Sequence, residues 1–291
     1  MEELAKRFEE HRPRLRALAY RMLGSLSEAD DAVQEAWLRL SRAGAGDVAN
    51  LGGWLTTVTG RVCLNLLRAR DTRREQPLGV RMPDPVVSRV DGTDPEHAAL
   101  VADAVGLALL VVLDTLAPAE RLAFVLHDMF TVPFAEIAGI VGCSPAAARQ
   151  LASRGRRRVR RDAPAPDADL ARQREAVDAF FAASRGGDFA ALVAVLDPDV
   201  VLRSDGGLAR PAVSVVIHGG PDVAGQAVTF GRLGPAVRPV LVNAAAGVIV
   251  VPRERPVSVM GFAVRNGRIA AIDVLADPAR LQRLDPALWA D

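Results

Sequence analysis

The sequence predicts a multidomain protein: two all-α helical modules in the N-terminal half, then an α+β domain whose curved sheet wraps a pocket. Three observations predict it. Up to about Asp162 apolar residues recur at i, i+3, i+4 and i+7 with few strand signals. Between Gln76 and Pro95, Pro77, Gly79, Pro83, Pro85, Gly92 and Pro95 break all periodicity. After Asp167 two helical patterns give way to alternating or β-branched runs, with a hairpin signal at Asn266-Gly267. The expected boundaries are 1–76, a linker at 77–95, 96–162, and 163–291. A chain of 291 residues is long enough to give each part a core.

The first helix runs through Leu15, Leu18, Ala19 and Met22 and stops near Gly24. Ser27 with Asp30 reads as a capping box for the second, which presents Ala29, Val33, Ala36, Trp37 and Leu40 on one side and Glu28, Asp31, Gln34, Glu35 and Leu38 on the other. Ala43–Gly53 is loop by composition. A third helix from about Trp54 buries Leu55, Val58, Val62 and Leu66 and turns Arg61, Asn65 and Arg68 outward. Helix resumes at Glu96 and continues to Leu116, and Pro118 starts another that reaches His127. Phe134, Ile137, Ala138 and Val141 then mark a short helix. Gly142-Cys143 breaks it, and Ser144 as N-cap with Pro145 as first residue opens the next. Ala163–Pro166 is a second linker. Beyond it come helices at about 169–185 and 188–196, a strand at Val200–Arg203 and a helix at Gly219–Leu233. Strands follow at Val237–Asn243, Gly247–Val251, Pro256–Val264 and Arg268–Leu275, as an antiparallel meander.

The net charge of +1 hides local clustering. Residues 1–163 carry 23 Lys+Arg against 21 Asp+Glu, and the rest 13 against 14, so bulk charge does not argue for a nucleic-acid partner. Clustering does. Residues 149–161 hold seven arginines and no acid. The helix that carries them buries Ala148, Leu151 and Ala152 and turns Ala146, Arg149, Gln150, Ser153, Arg154 and Arg157 outward. Arg matches guanine edges, Gln matches adenine, and both hold phosphate, so this face suits a major-groove reader. A solvated cationic helix end would need fewer arginines. Residues 60–75 carry +3, from five arginines against Asp71 and Glu75, enough to track phosphates beside one amide, Asn65. The face Glu28, Asp31, Glu35 would repel DNA and suits a basic protein surface.

Cys63 and Cys143 have no partner at metal-ligand spacing, so no metal site, disulfide or cofactor is expected. The first residues include Glu2, Glu3 and Lys6 and no apolar stretch, so no signal peptide is expected. The longest uncharged apolar run, Pro239–Pro252, is too short to cross a bilayer. A cytoplasmic protein without membrane contact follows.

These residues together resemble a known family. Asp30-Asp31-Ala32-Val33-Gln34-Glu35-Ala36-Trp37 is similar to region 2.2 of bacterial sigma factors of the sigma-70 superfamily, in the compact extracytoplasmic-function (ECF) group. Trp54-Leu55 and Arg61 through Arg70 resemble regions 2.3 and 2.4. Pro133-Phe134-Ala135-Glu136-Ile137-Ala138 and Ser144-Pro145-Ala146-Ala147-Ala148-Arg149-Gln150-Leu151, within Arg121–Arg158, resemble region 4. The remainder resembles the SnoaL-like, NTF2-fold extension of one ECF subgroup. That subgroup carries Trp-Leu-Pro-Glu-Pro, Asp-Gly-Gly-Gly and Asn-Pro-Asp-Lys-Leu motifs. The counterparts here are Arg81-Met82-Pro83-Asp84-Pro85, Asp205-Gly206-Gly207-Leu208 and Asp277-Pro278-Ala279-Arg280-Leu281, each a partial match.

The resemblance implies a non-enzymatic initiation factor whose partners are the RNA polymerase core and promoter DNA. Asp30, Asp31, Gln34, Glu35 and Trp37 would dock on the clamp helices of the polymerase. Trp54, Arg61, Asn65, Arg68 and Arg70 would engage the −10 element, with the Ala43–Gly53 loop holding an extruded base. Ser144, Arg149, Gln150, Ser153, Arg154 and Arg157 would read the −35 element. Pro83, Asp84 and Pro85, with Asp205, Gly206, Gly207, Asp277 and Pro278, would form regulatory contacts between linker and cone. No anti-sigma factor is required. Asp205, His218 and Asp273 are the main ionisable residues near the strands of the cone, and they form no evident acid–base pair. A small-molecule ligand in the cone stays open. So do two other readings: a ligand-responsive helix-turn-helix repressor, which leaves residues 1–75 without purpose, and an isomerase or cyclase, which explains only the cone.

Overall fold

The computed structural model describes residues 2–43, 50–72, 80–90, 106–163, 167–232, 234, 236–252 and 255–289. The interior of the expected Ala43–Gly53 loop, Arg73 and Arg74, the expected helix start at Glu96 and most of the second linker lie outside them. The chain divides into two compact units. One joins Met1–Gln76, Ala98–Asp103 and Leu110–Ala163, and the other joins Pro77–His97, Ala104–Leu109 and Pro164–Asp291.

The first unit is all helix. Helices α1 (Glu2–Leu23), α2 (Leu26–Ala43) and α3 (Leu51–Thr72) pack against one another. Their apolar stripes meet in a core that includes Leu15, Leu18, Met22, Ala29, Val33, Leu40, Leu55 and Leu64. Gly24, at φ 69°, stops α1 as its sequence requires. The capping box is corrected. Helix α2 starts at Leu26, so Ser27 lies inside its first turn, and the Asp30 carboxylate faces Arg16 at 2.6 Å. Helix α3 starts earlier than Trp54 because the Asn50 side chain accepts the Gly53 N–H at 2.9 Å. Leu66, expected in the core, is 39% exposed, and Leu67 is buried in its place.

After α4 (Leu107–Asp114) comes α5 (Pro118–Phe124), which widens into a π-helical turn at Val125–Met129. Helices α6 (Phe134–Val141) and α7 (Pro145–Asp162) complete the unit, with Gly142 at φ 82° between them and the Ser144 hydroxyl accepting the Ala147 N–H at 3.2 Å. Helix α7 crosses α5 closely at Gly155, where a Cβ would lie 3.0 Å from that of Phe124. Beneath the crossing a cation is fully buried. Arg121 donates to Asp114 at 2.8 Å and to the Arg21 carbonyl at 3.2 Å, and burial pulls its pKa down.

Cys63 is buried in the same core, and burial pushes its thiol up to about 12. Cys143 is only half-buried. Native protein should therefore consume one equivalent of an aromatic disulfide reagent, at Cys143, and a second only after denaturation. Two equivalents in the native state would contradict the packing around Cys63.

The second unit is the α+β cone. Its helices are α8 (Leu170–Gly186), α9 (Phe189–Val195), α10 (Gly220–Gly231) and the short α11 (Pro278–Leu281). Its strands are β1 (Val87–Ser88), β2 (Leu196–Asp205), β3 (Val215–His218), β4 (Val237–Val242), β5 (Ala245–Val250), β6 (Ser258–Arg265) and β7 (Arg268–Leu275), in sheet order β1-β4-β5-β6-β7-β2-β3. Two strands were not expected. β1 lies within the expected linker and pairs with β4 at Val87↔Val242, and β3 forms the opposite edge. Strands β4 to β7 form the expected antiparallel meander, and β2 extends the sheet by pairing parallel to β7. Phe180, Phe181, Val223 and Ala227 of the helices close the core against Leu202, Val248, Met260, Phe262 and Ile272.

The Asn266-Gly267 turn, at φ 52° and 72°, is tied to the start of the domain. The Asp167 carboxylate accepts both turn N–H groups at 2.9 Å, first of all that of Gly267, which holds its pKa below the ordinary carboxylate value. A lowered folded pKa adds stability above the unfolded value, and that stability is lost as pH falls through the folded one. Asp167→Ala should thus lower the melting temperature at neutral pH, and the gap should close in strong acid. A gap independent of pH would rule out the carboxylate as its cause.

Candidate nucleic-acid interface

Helix α7 presents Arg149, Gln150, Arg154 and Arg157 to solvent, with Ser144 exposed at its start and Ser153 half-buried. Arg149 lies over the Phe134 ring at 5.4 Å, and that ring stacks on His127 at 3.9 Å. The arginine run is less bare than its sequence suggests, because acids reach it from α5 and the π-helical turn. Glu120 holds Arg154 at 2.5 Å, and Asp128 holds Arg156 through two bonds of 2.7 and 3.0 Å. Asp162 pairs with Arg158 and Arg161. Arg149, Arg157 and Arg160 carry no carboxylate partner among the described residues.

On α3, Trp54, Arg61, Asn65 and Arg68 fall on one face, with Arg61, Asn65 and Arg68 exposed and Trp54 half-buried. Arg70 does not share it. Nine residues beyond Arg61 is roughly half a turn round the helix. Its guanidinium instead meets Glu28 and the Leu23 carbonyl. The exposed arginines are also engaged. Arg61 donates to the Gly139 carbonyl at 3.1 Å, and Arg68 reaches that of Val141 at 3.5 Å, both in the last turn of α6. Cations at a helix C-terminus complement its partial negative charge. Nothing in the local sequence signals this contact across more than seventy residues.

On α2, Asp31 and Gln34 are exposed and Glu35 is half-buried. Glu35 pairs with Arg39 on its own helix, Glu28 with Arg70, and Asp30 with Arg16. Trp37 is half-buried, with its ring 5.1 Å from that of Phe8.

Within the cone unit the linker residues meet the glycine motif and the tail motif at one cluster. The buried Asp205 carboxylate accepts the Met82 N–H at 2.9 Å and Arg280 Nη1 at 2.8 Å. Arg280 Nε donates to Asp84 at 2.9 Å. Gly207, at φ 62°, sits where any Cβ would overlap the Asp277 carboxylate, which caps α11 by accepting the Ala279 N–H. Pro83 and Pro85 are buried beside this cluster, and Val86 N–H donates to Asn243 at 3.1 Å. Arg280, the centre of the cluster, is absent from the residues that the sequence singled out as contacts. Its place within the tail motif was the available signal.

Asp273 is buried and its carboxyl is pushed up by burial, against Arg203 at 3.1 Å. His218 is exposed on the edge strand β3.

A helical bundle, a helix-turn-helix and a linker strand locked on a cone define a transcription factor of the sigma-70 type. The Sigma-70 region 2 model matches residues 7–73 and the Sigma-70 region 4 model residues 106–159. The ECF RNA polymerase sigma factor SigJ of Mycobacterium tuberculosis is 38% identical over 286 residues, 93% of this chain and 91% of the relative. A probable ECF RNA polymerase sigma factor SigI of the same species is 37% identical over 278 residues, 94% of this chain and 93% of the relative. The crystal structure of the Mycobacterium tuberculosis ECF sigma factor SigJ superposes with a TM-score of 0.76 at 37% identity, covering 96% of this chain and 98% of that one. The chain belongs to the ECF RNA polymerase sigma factors. Among the described residues no helix is long and apolar enough to cross a membrane.

Proposed function

We propose that α7 reads the −35 element, that the Trp54, Arg61, Asn65 and Arg68 face of α3 engages the −10 element, and that Asp31, Gln34 and Glu35 on α2 dock on the clamp helices of the polymerase. The observation that carries this is the exposed Arg149–Gln150 pair, the two side chains best suited to base edges, on a long helix fixed by Ser144. The −10 and −35 elements lie about 25 base pairs apart, about 85 Å along B-form DNA. Arg61 and Arg68 cannot rest on α6 and meet one promoter element while α7 meets the other. The first unit therefore opens on the way to the promoter, and the carbonyl bonds in the last turn of α6 are exchanged for phosphates.

The cone acts in this reading by holding the linker through Asp205, Asp84 and Arg280. It is a regulator rather than an enzyme, and no anti-sigma factor is needed. The test is reconstitution with core polymerase free of other specificity subunits. Co-purification and run-off transcripts from a genomic promoter pool are expected. Absence of both would overturn the reading, and DNA binding without polymerase binding would replace it with a repressor.

A further inference from the structure

The concave side of the cone encloses a cavity of about 700 Å³. That is the size of a site for a small organic ligand. Apolar side chains make most of its wall, Phe180, Phe181, Phe230, Leu202, Met260 and Val274 among them, and among the described residues no acid lines it. Asp205, His218 and Asp273 are likewise outside the lining.

Ser184, Arg185, Ser204, Arg210, Gln226 and Ser258 interrupt this hydrocarbon surface. Ser258 opens β6 on the same strand face as Met260 and Phe262, is 4% exposed, and its Oγ has no hydrogen-bond partner. A buried hydroxyl without a partner carries a desolvation cost that a ligand oxygen would remove. Arg185 and Arg210 stand in the lining and are exposed, and neither meets a carboxylate among the described residues.

We propose that the cone binds an amphipathic carboxylate of the fatty-acid class, with its chain among the phenylalanines and its charge between Arg185 and Arg210. Two guanidinium groups that meet no carboxylate among the described residues select an anion over a neutral chain of the same length. The phenylalanines supply the apolar contact area. Ser258 offers an inner contact where the chain carries a hydroxyl group. Arg210, Ala212 and Val213 belong to the loop that continues from Asp205, so the occupant touches the segment that holds the linker.

The inference stands apart from the promoter reading, since binding can be measured on the full chain without polymerase or DNA. Titrating dodecanoate below its micelle concentration should show saturable binding of one equivalent, about tenfold tighter than dodecanol. Ala212→Trp, at an exposed position of the lining, should abolish it. Arg185→Gln with Arg210→Gln should leave the two probes equal. No saturable binding, equal binding of both probes by the native chain, or binding unaffected by both variants would each overturn the proposal.

Discussion

Replacing Arg149 and Gln150 together by alanine is expected to weaken promoter binding by the holoenzyme about 100-fold, with the melting temperature of the free protein unchanged. Each side chain that reads a base edge contributes about 1–3 kcal/mol of discrimination. Both residues are exposed, so their loss removes recognition and leaves the core of α5, α6 and α7 intact. Phe134, itself stacked on His127, backs the Arg149 guanidinium, which reduces the ordering cost of using it. Binding to mismatched and matched −35 sequences should converge in the double variant. Arg157→Ala should instead weaken all sequences alike and lower the salt slope by about one. Unchanged −35 preference in a folded double variant would remove α7 as the reader.

The second large effect is expected at Arg280→Ala, which should free the linker from the cone. Asp205 and Asp84 would lose the guanidinium that bridges them, in a site where their side chains are 6% and 22% exposed. Breaking such a pair costs about 3–5 kcal/mol when the remaining charge is buried, and about half that here once the partial exposure of Asp84 is allowed for. The readout is built into the segment, because Arg81 and Arg89 flank it and are cleaved by trypsin only when it is accessible. Cleavage there should accelerate at least tenfold while the cone still melts as a unit. Arg280→Lys should restore little, since an ammonium donates from a single nitrogen, whereas the guanidinium reaches Asp84 from Nε and Asp205 from Nη1. A cleavage rate equal to that of the native protein would show that other contacts hold the linker. With core polymerase present, the same variant should change transcript yield if the cone regulates through this segment.

Local patterns carried what was legible in the sequence. The positions of β4 to β7, each within two residues, follow from alternation and from Asn266-Gly267, and the break between α6 and α7 from Gly142, Ser144 and Pro145. Long-range contacts were not legible. Two residues of β1 carry no periodicity, and their partner in β4 lies more than 150 residues away. The Arg61 and Arg68 contacts with α6 join helices that the sequence separates by a linker. Arg70 is different, since counting residues round α3 already places it opposite Arg61. At Leu66 the stripe was read one residue early, and at Ser27 a second serine two residues before it masked the start of α2.

The two-residue pairing of Val87 and Ser88 with β4 has a consequence for the life of the protein. It covers part of an outer rim that would otherwise offer unpaired backbone donors and acceptors to any passing chain. Pro239 blunts that rim only at its own position. A molecule that sheds its linker thus gains a site for self-association, and a state of that kind persists only if another segment takes the vacant place.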